Sequence, residues 1–181
     1  MREFTVGGAG LTLANNSPVS LVMIMPVAAP GVNIQIMRAW IGQSANATSA
    51  QQRVEHTTQV AAFPTTAVSA TPAALNRSDA VSVIAGATTI AAGKSGINVG
   101  TEGAGAKTSM FSDAFNVLNG YLWVPTPQEV LTFPAGSLSA YDLQLPTAPG
   151  SLRPRSGRIM AGTGSRTSGT SATSTATARP T

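Results

Sequence analysis

His56 is the only histidine of this chain, so a catalytic triad or a histidine-mediated proton transfer would have to use it. Glu55 and Asp113 are the acids that could orient it. Residues 51–60 alternate as in a strand, and successive side chains of a strand point to opposite faces, which turns Glu55 away from His56. We interpret His56 as a half-buried histidine with satisfied hydrogen bonds.

Paired carboxylates would be needed for glycoside hydrolysis. Six acids are scattered between residues 55 and 142, and no two of them have the spacing of a motif. A wall-degrading hydrolase using Glu55, Asp113 and Glu129 is therefore the least favoured function. We expect no enzymatic activity and assign no catalytic residue.

Nucleotide and metal sites are also disfavoured. Gly93-Lys94-Ser95 matches the end of a phosphate loop, but that motif requires glycine where this chain has Thr88. The chain has no cysteine and one histidine, which excludes thiolate and multi-histidine metal sites. We expect no cofactor, no metal and a flexible glycine loop around Lys94.

The basic residues are distributed unevenly. Residues 1–150 carry six basic and seven acidic side chains, whereas residues 151–181 carry five arginines and no acid. Arginine suits the bidentate recognition of carboxylate or phosphate. Without interleaved aromatic residues, we favour docking on an acidic protein surface over nucleic acid. The predicted partner-binding residues are these arginines and Phe4 as an N-terminal anchor: Arg153, Arg155, Arg158, Arg166, Arg179 and Phe4.

The composition of the chain and the positions of its turn residues predict the elements that must position these side chains. Only 10% of the residues are charged, against about 25% in typical soluble domains. Short alternating segments separated by turn residues, with no helical period, predict an all-β antiparallel sandwich or jelly roll. We divide the chain into an N-terminal arm (1–16), a β-sandwich body (17–150) and a basic, Ser/Thr-rich C-terminal arm (151–181).

An aromatic stretch, residues 111–133, is the predicted centre of the core, because it holds five of the nine aromatic residues. Asn119-Gly120 within it predicts a hairpin turn. Pro134-Ala135-Gly136 predicts a second hairpin, whose later strand spans residues 138–145. Other strands are expected at 18–25, 32–41 and 51–60, with short ones at 81–85 and 88–91.

Short motifs also occur in a definite order between residues 18 and 150. They are residues 37–44 (MRAWIGQS), 52–54 (QRV), 71–80 (TPAALNRSDA), 115–117 (FNV), 120–127 (GYLWVPTP) and 143–145 (LQL). This pattern resembles a group of small virion proteins encoded among the head and tail genes of tailed bacteriophages.

The resemblance implies a non-enzymatic structural protein of the phage head, a capsid decoration (cement) protein. Its partners would be the major capsid protein and copies of itself. From the residues themselves, no membrane is expected and nucleic acid is a disfavoured partner. It would be made in the host cytoplasm and located on the head surface. The alternative is a tail, fibre or head–tail adaptor protein that binds a partner or the host surface.

Overall fold

The structure is a computed structural model that describes residues 2–8, 18–42, 51–99 and 101–146. These residues form an all-β protein with no helix and with 46% of their number in strands. The thirteen strands are β1 (Phe4–Thr5), β2 (Val19–Ile24), β3 (Ile34–Ile36), β4 (Ala39–Ile41), β5 (Gln51–Val60), β6 (Val68–Ser69), β7 (Ala73–Ala74), β8 (Ala85–Gly86), β9 (Lys94–Ile97), β10 (Ala106–Asn116), β11 (Tyr121–Trp123), β12 (Leu131–Phe133) and β13 (Ser139–Leu145).

One large sheet organises the fold. Its order is β10-β5-β13-β2-β9-β6, and β8 adds to β9 as the one parallel pair; the other described pairs are antiparallel. β13 lies inside this sheet and pairs with both β5 and β2. Three two-stranded ribbons, β1–β7, β4–β11 and β3–β12, complete the described structure.

A β-bulge sets which side chains of β2 enter the main core. Leu143 pairs with Val22 and Gln144 with Ser20, so Leu21 is the extra residue between them. A bulge shifts the alternation of a strand by one residue. Leu21 and Val22 can therefore both contribute to the same core, while Ser20 points to the other face of the sheet.

The face of the large sheet that carries this core, here called the ribbon face, is covered by the ribbons β3–β12 and β4–β11. Their inward side chains pack on those of β2, β5 and β13. The buried members are Val19, Leu21, Ile24, Ile36, Ala39, Val54, Ile84, Tyr121, Phe133, Tyr141, Leu143 and Leu145. The arrangement is sandwich-like, and it confirms the predicted all-β, antiparallel fold class.

The opposite face, here called the loop face, is covered by the loops of the long connection of residues 61–99 and 101–105, whose strands β6, β8 and β9 belong to the sheet itself. Met23, Met25 and Ala140 of the sheet region pack there against Ile90 and Val99 of the connection. The connection has few long side chains, so it approaches the sheet closely. β9 lies within it and begins at Lys94, where a flexible glycine loop was predicted; that prediction was wrong.

Both predicted hairpins are wrong in their pairing. Asn119-Gly120 lies at a turn, and Gly120 has the expected positive φ of 69°. The flanking strands separate, because β10 pairs with β5 and β11 pairs with β4. Gly136 likewise turns the chain from β12, which pairs with β3, into β13 of the large sheet. The aromatic stretch connects two layers and is not a single hairpin.

The start of the predicted N-terminal arm lies on the body. Phe4 and Thr5 form β1, which pairs with β7 through Phe4–Ala74 and Thr5–Ala73. Val6 packs against the ribbon-face core. Residue 1 and residues 9–16 of this arm, and the whole C-terminal arm, lie outside the described residues.

Gly103 is expected to be intolerant of a side chain. A methyl group there would overlap the carbonyl oxygen of Ala62 and the Nε2 atom of Gln59. We expect Gly103→Ala to lower the free energy of unfolding by about 1–3 kcal/mol, the usual cost of overpacking. Urea denaturation measures the loss. The matched control is Gly42→Ala, where a methyl group would meet nothing within 4 Å; equal stability losses in the two variants would contradict the close approach.

Candidate functional site: a buried lysine–carboxylate cluster

Polar side chains gather on the loop face where β10, β5, β13 and β2 lie side by side. Register places Lys107 opposite Gln59, and Asp142 between Thr57 and Met23. The connection over this face supplies one more acid. We call the whole group the lysine cluster: Ser20, Thr57, Glu102, Lys107, Asp142 and Gln144.

Lys107 is the centre of the cluster. Its flexible four-carbon side chain spans β5 to reach β13. Its Nζ atom lies 2.7 Å from Asp142 Oδ2, 3.2 Å from Gln144 Oε1 and 3.1 Å from Ser20 Oγ, and it forms an ion pair with Glu102 Oε2. An ammonium group has three donors. Four acceptors thus compete for it, which holds Nζ in the middle of the cluster.

Glu102 is fixed by β2. The backbone N–H of Ser20 donates to Glu102 Oε1 at 2.7 Å, and the Ser20 hydroxyl donates to Oε2 at 2.8 Å. Both carboxylate oxygens are therefore oriented, and Oε2 faces the lysine. Ser20 occupies this position because the bulge at Leu21 turns it to the loop face.

Asp142 is the most deeply buried acid of the cluster. Its side chain is 0% exposed, compared with 18% for Lys107 and 21% for Glu102. Oδ2 accepts from Lys107 and, at 3.1 Å, from the Thr57 hydroxyl. Oδ1 has no hydrogen-bond partner within the described part of the chain. One oxygen of this carboxyl group is thus held by donors while the other is desolvated.

The electrostatics follow from this unequal environment. Burial raises the pKa of Asp142 above its usual range, and the nearby Lys107 only partly opposes the rise. For Lys107, burial alone would lower the pKa. The carboxylates of Asp142 and Glu102 outweigh the effect of burial, so the pKa of Lys107 is raised. The site thus holds an amine and a carboxyl group in contact, beside a second carboxylate that contacts the same amine.

A second buried polar group lies on the ribbon face. The imidazole of His56 contacts the Tyr121 hydroxyl through Nε2 at 3.0 Å and the Tyr141 hydroxyl through Nδ1 at 2.9 Å. Trp123 and Phe111 flank the ring, with centroids 4.5 and 5.7 Å away. The prediction that His56 is satisfied is confirmed. The predicted half-burial was wrong, because His56 is fully buried among the rings of Phe111, Tyr121, Trp123 and Tyr141.

His56 should make stability depend on pH. Burial lowers its pKa in the folded protein to about 4, whereas the unfolded chain has the ordinary value of 6.5. Between these values the unfolded chain binds a proton that the folded protein excludes. The stability contributed by neutral His56 is therefore fully present above pH 6.5 and is lost as the pH falls towards 4, at up to about 1.4 kcal/mol per pH unit.

The test is urea denaturation of wild type and His56→Gln across this pH range. Glutamine has no titrating group, so the slope that comes from the histidine should be missing in the variant. Stability curves of equal slope for the two proteins would contradict the assignment, whatever their offset.

The residues considered as a hydrolase site are not brought together. Glu55 points to the loop face and pairs with Arg53, while Asp113, opposite Val54, belongs to the ribbon face. Glu129 accepts from the hydroxyl and the backbone N–H of Thr126 in an exposed turn. Among the described residues, no group of three or more His, Asp or Glu side chains could hold a metal ion.

The predicted partner-binding residues are only partly placed. Arg153, Arg155, Arg158, Arg166 and Arg179 lie outside the described residues. Phe4 is half-buried in β1, so it anchors the chain to its own body. Nothing in the described residues forms a helix of the length and hydropathy needed to cross a membrane.

The lysine cluster was missed from the sequence. Lys107 and Asp142 are 35 residues apart and lie on strands that do not pair with each other. One signal was available: Asp142 stands between Tyr141 and Leu143 in a strongly alternating strand. If the strand is central, the face opposite Tyr141 and Leu143 is buried too, and an acid on that face needs a buried partner.

Two exposed features stand out among the described residues. β10 is an edge strand of eleven residues, and β5 is its only strand partner in the described structure. On the β4–β11 ribbon, Trp40 pairs with Leu122, and both side chains point outward with 58% and 66% exposure.

Comparisons of the chain with family models, with curated proteins and with solved structures find no match. The resemblance to phage virion proteins therefore stays a prediction.

Proposed function

We propose that this protein is a structural component of a bacteriophage particle, a decoration protein that binds the shell of the head and neighbouring copies of itself. The observation that carries the proposal is the exposed edge strand β10. Within the described residues β10 has a strand partner on one side only, and the backbone of such an edge strand is a place to which a strand of another subunit can add. The resemblance of the sequence to small virion proteins is the reason for proposing a bacteriophage particle.

β10 offers a surface as well as backbone groups. The side chains of Met110 and Phe111 are 37% and 39% exposed at the centre of the strand. A bulge lies between Ser109 and Phe111. Bulges bend an edge and limit indiscriminate pairing. The edge therefore suits one shaped partner better than open-ended association.

The outward pair of Trp40 and Leu122 supports a second contact. Tryptophan is enriched in the centres of protein interfaces, where its large ring is desolvated. This pair lies on a ribbon that is held to the body by buried Tyr121 and Ala39. A rigid ribbon can present an apolar contact without a large loss of conformational entropy on binding.

The basic C-terminal segment would supply the electrostatic part of binding. Residues 151–181 carry five arginines and no acid, while the remaining chain is nearly neutral. Docking on an acidic surface of the major capsid protein would use the bidentate geometry of guanidinium and carboxylate. A protein that binds the assembled shell, and not its free subunits, stabilises the shell by mass action.

Removal of residues 151–181 should abolish binding to particles and leave the body folded, because every described strand precedes this segment. Co-sedimentation with particles that lack the protein measures binding, and circular dichroism with thermal melting checks the body. Full binding by the truncated protein would rule out a docking role for the arginines.

A charge on the free edge of β10 should weaken subunit contacts selectively. We expect Thr108→Lys to lower binding to particles at least several-fold without lowering the melting temperature, since an exposed lysine blocks strand addition but fits a solvated edge. The matched control is Thr89→Lys, at an exposed position in the long connection. Equal binding by the two variants would count against β10 as the docking edge.

The number of copies per particle distinguishes a position on the head surface from a position in the tail or adaptor. Quantitative mass spectrometry of purified particles should give a number comparable with that of the major capsid protein. A small number that matches the ring symmetry of a tail or portal would instead support the tail or adaptor alternative.

A further inference from the structure

The contact of an amine and a carboxyl group in the lysine cluster suggests a covalent reaction. Nζ of Lys107 and Oδ2 of Asp142 are 2.7 Å apart, and Glu102 touches the same nitrogen. We propose that Lys107 and Asp142 condense to an intramolecular isopeptide bond, with Glu102 as the catalytic proton carrier. This proposal is independent of the particle role, because it concerns only groups within one chain.

The fold supplies the proximity that such a reaction needs. Lys107 comes from β10, Asp142 from β13 and Glu102 from the connection that covers them, and each is held by a further hydrogen bond to another cluster residue or to the backbone of β2. Fixing reactants in contact makes a bimolecular step effectively unimolecular and can account for most of a reaction barrier. Side chains on strands keep this geometry better than side chains on loops.

The proton balance closes without any added reagent. Glu102 takes one proton from the Lys107 ammonium, and the neutral amine attacks Cγ of Asp142. A bond forms between Nζ and Cγ, and the bond between Cγ and Oδ2 breaks. Two protons leave the nitrogen in total and pass by way of Glu102 to the departing oxygen. An ammonium and a carboxylate thus become one amide and one water, and Glu102 is regenerated.

Burial favours the amide over the ion pair. Two charges held away from water carry a desolvation cost that their attraction offsets only in part. Oδ1 of Asp142, which has no donor in the described structure, is costly as part of a charged carboxylate. In the product both charges are gone and Oδ1 is a neutral carbonyl oxygen. The raised pKa of Asp142 has the same origin and favours the protonated carboxyl that an amine can attack.

Glu102 is suited to the carrier role by its position. Its two oxygens are oriented by Ser20, its Oε2 atom contacts Nζ of Lys107, and its side chain is more exposed than that of Asp142. Gln144 and the Ser20 hydroxyl accept from Lys107 but are poor bases. They position the amine and cannot replace the carboxylate.

Intact-mass spectrometry of the purified, folded full chain tests the proposal. We expect the wild-type protein to be lighter than its sequence mass by one water. After denaturation, trypsin should fail to cleave after Lys107, and fragment spectra should join Lys107 to Asp142. The chain has only two lysines, so Lys94→Arg is the matched control and should also lose one water.

Two variants should retain the full sequence mass. Lys107→Arg keeps a cation but removes the nucleophile, and Glu102→Gln keeps both reacting groups but removes the proton carrier. Circular dichroism confirms that each is folded. Wild-type protein at its full sequence mass would overturn the proposal, as would loss of one water in Lys107→Arg, which would place the dehydration elsewhere. Complete bond formation in Glu102→Gln would overturn the role of Glu102.

Discussion

The burial of Asp142 is the constraint on which much of this structure depends. An acid in the central strand of a sheet covered on both faces cannot reach water, so its charge must be balanced within the protein. Lys107 provides that balance from the sheet edge, and it is held there by Glu102 of the connection and by Ser20 of β2, the strand that contains the bulge. The covering of the loop face, the bulge in β2 and the position of β10 are therefore parts of one arrangement.

The sequence predicted the local structure better than the pairing. The bounds expected for the strand at residues 51–60 coincide with those of β5, and its two faces were assigned as observed, because strict alternation is a local signal. The hairpins at Gly120 and Gly136 failed because a turn residue fixes the direction of the chain but not the partner of the next strand. That partner is chosen by burial over the whole sheet, which involves residues such as Ile36 and Tyr121 from distant segments.

The candidate site was hidden for a related reason. Glu102 and Lys107 carry no signal in the sequence, and only strand order and register bring Lys107 to the face of the sheet that holds Asp142. His56 was easier, since a lone histidine among alternating apolar residues is usually satisfied within a core. The covering of His56 by Tyr121 could not be foreseen, because it depends on β11 crossing to the second layer. The connection of residues 61–99 was the least predictable part, as its small side chains carry little pattern.

The interior and the exterior of the described protein differ in their charged and apolar groups. The interior holds its charges in balanced groups and shields its only histidine from protons. On the exterior, the described residues leave the edge of β10 and the outward pair of Trp40 and Leu122 uncovered. Under the proposed particle role, these uncovered surfaces are the ones that would contact other subunits.

The place of β13 in the sheet also affects the order in which the chain can fold. The strand that joins β5 to β2 is the last of the described strands to be synthesised, so the two halves of the sheet have no common neighbour until residues 139–145 leave the ribosome. Contacts between distant segments slow folding. Until then β2 and β5 present unpaired edges in the cell, and the polar loop-face side chains of β5 would limit their aggregation. Formation of the whole sheet thus has to wait until β13 has been synthesised.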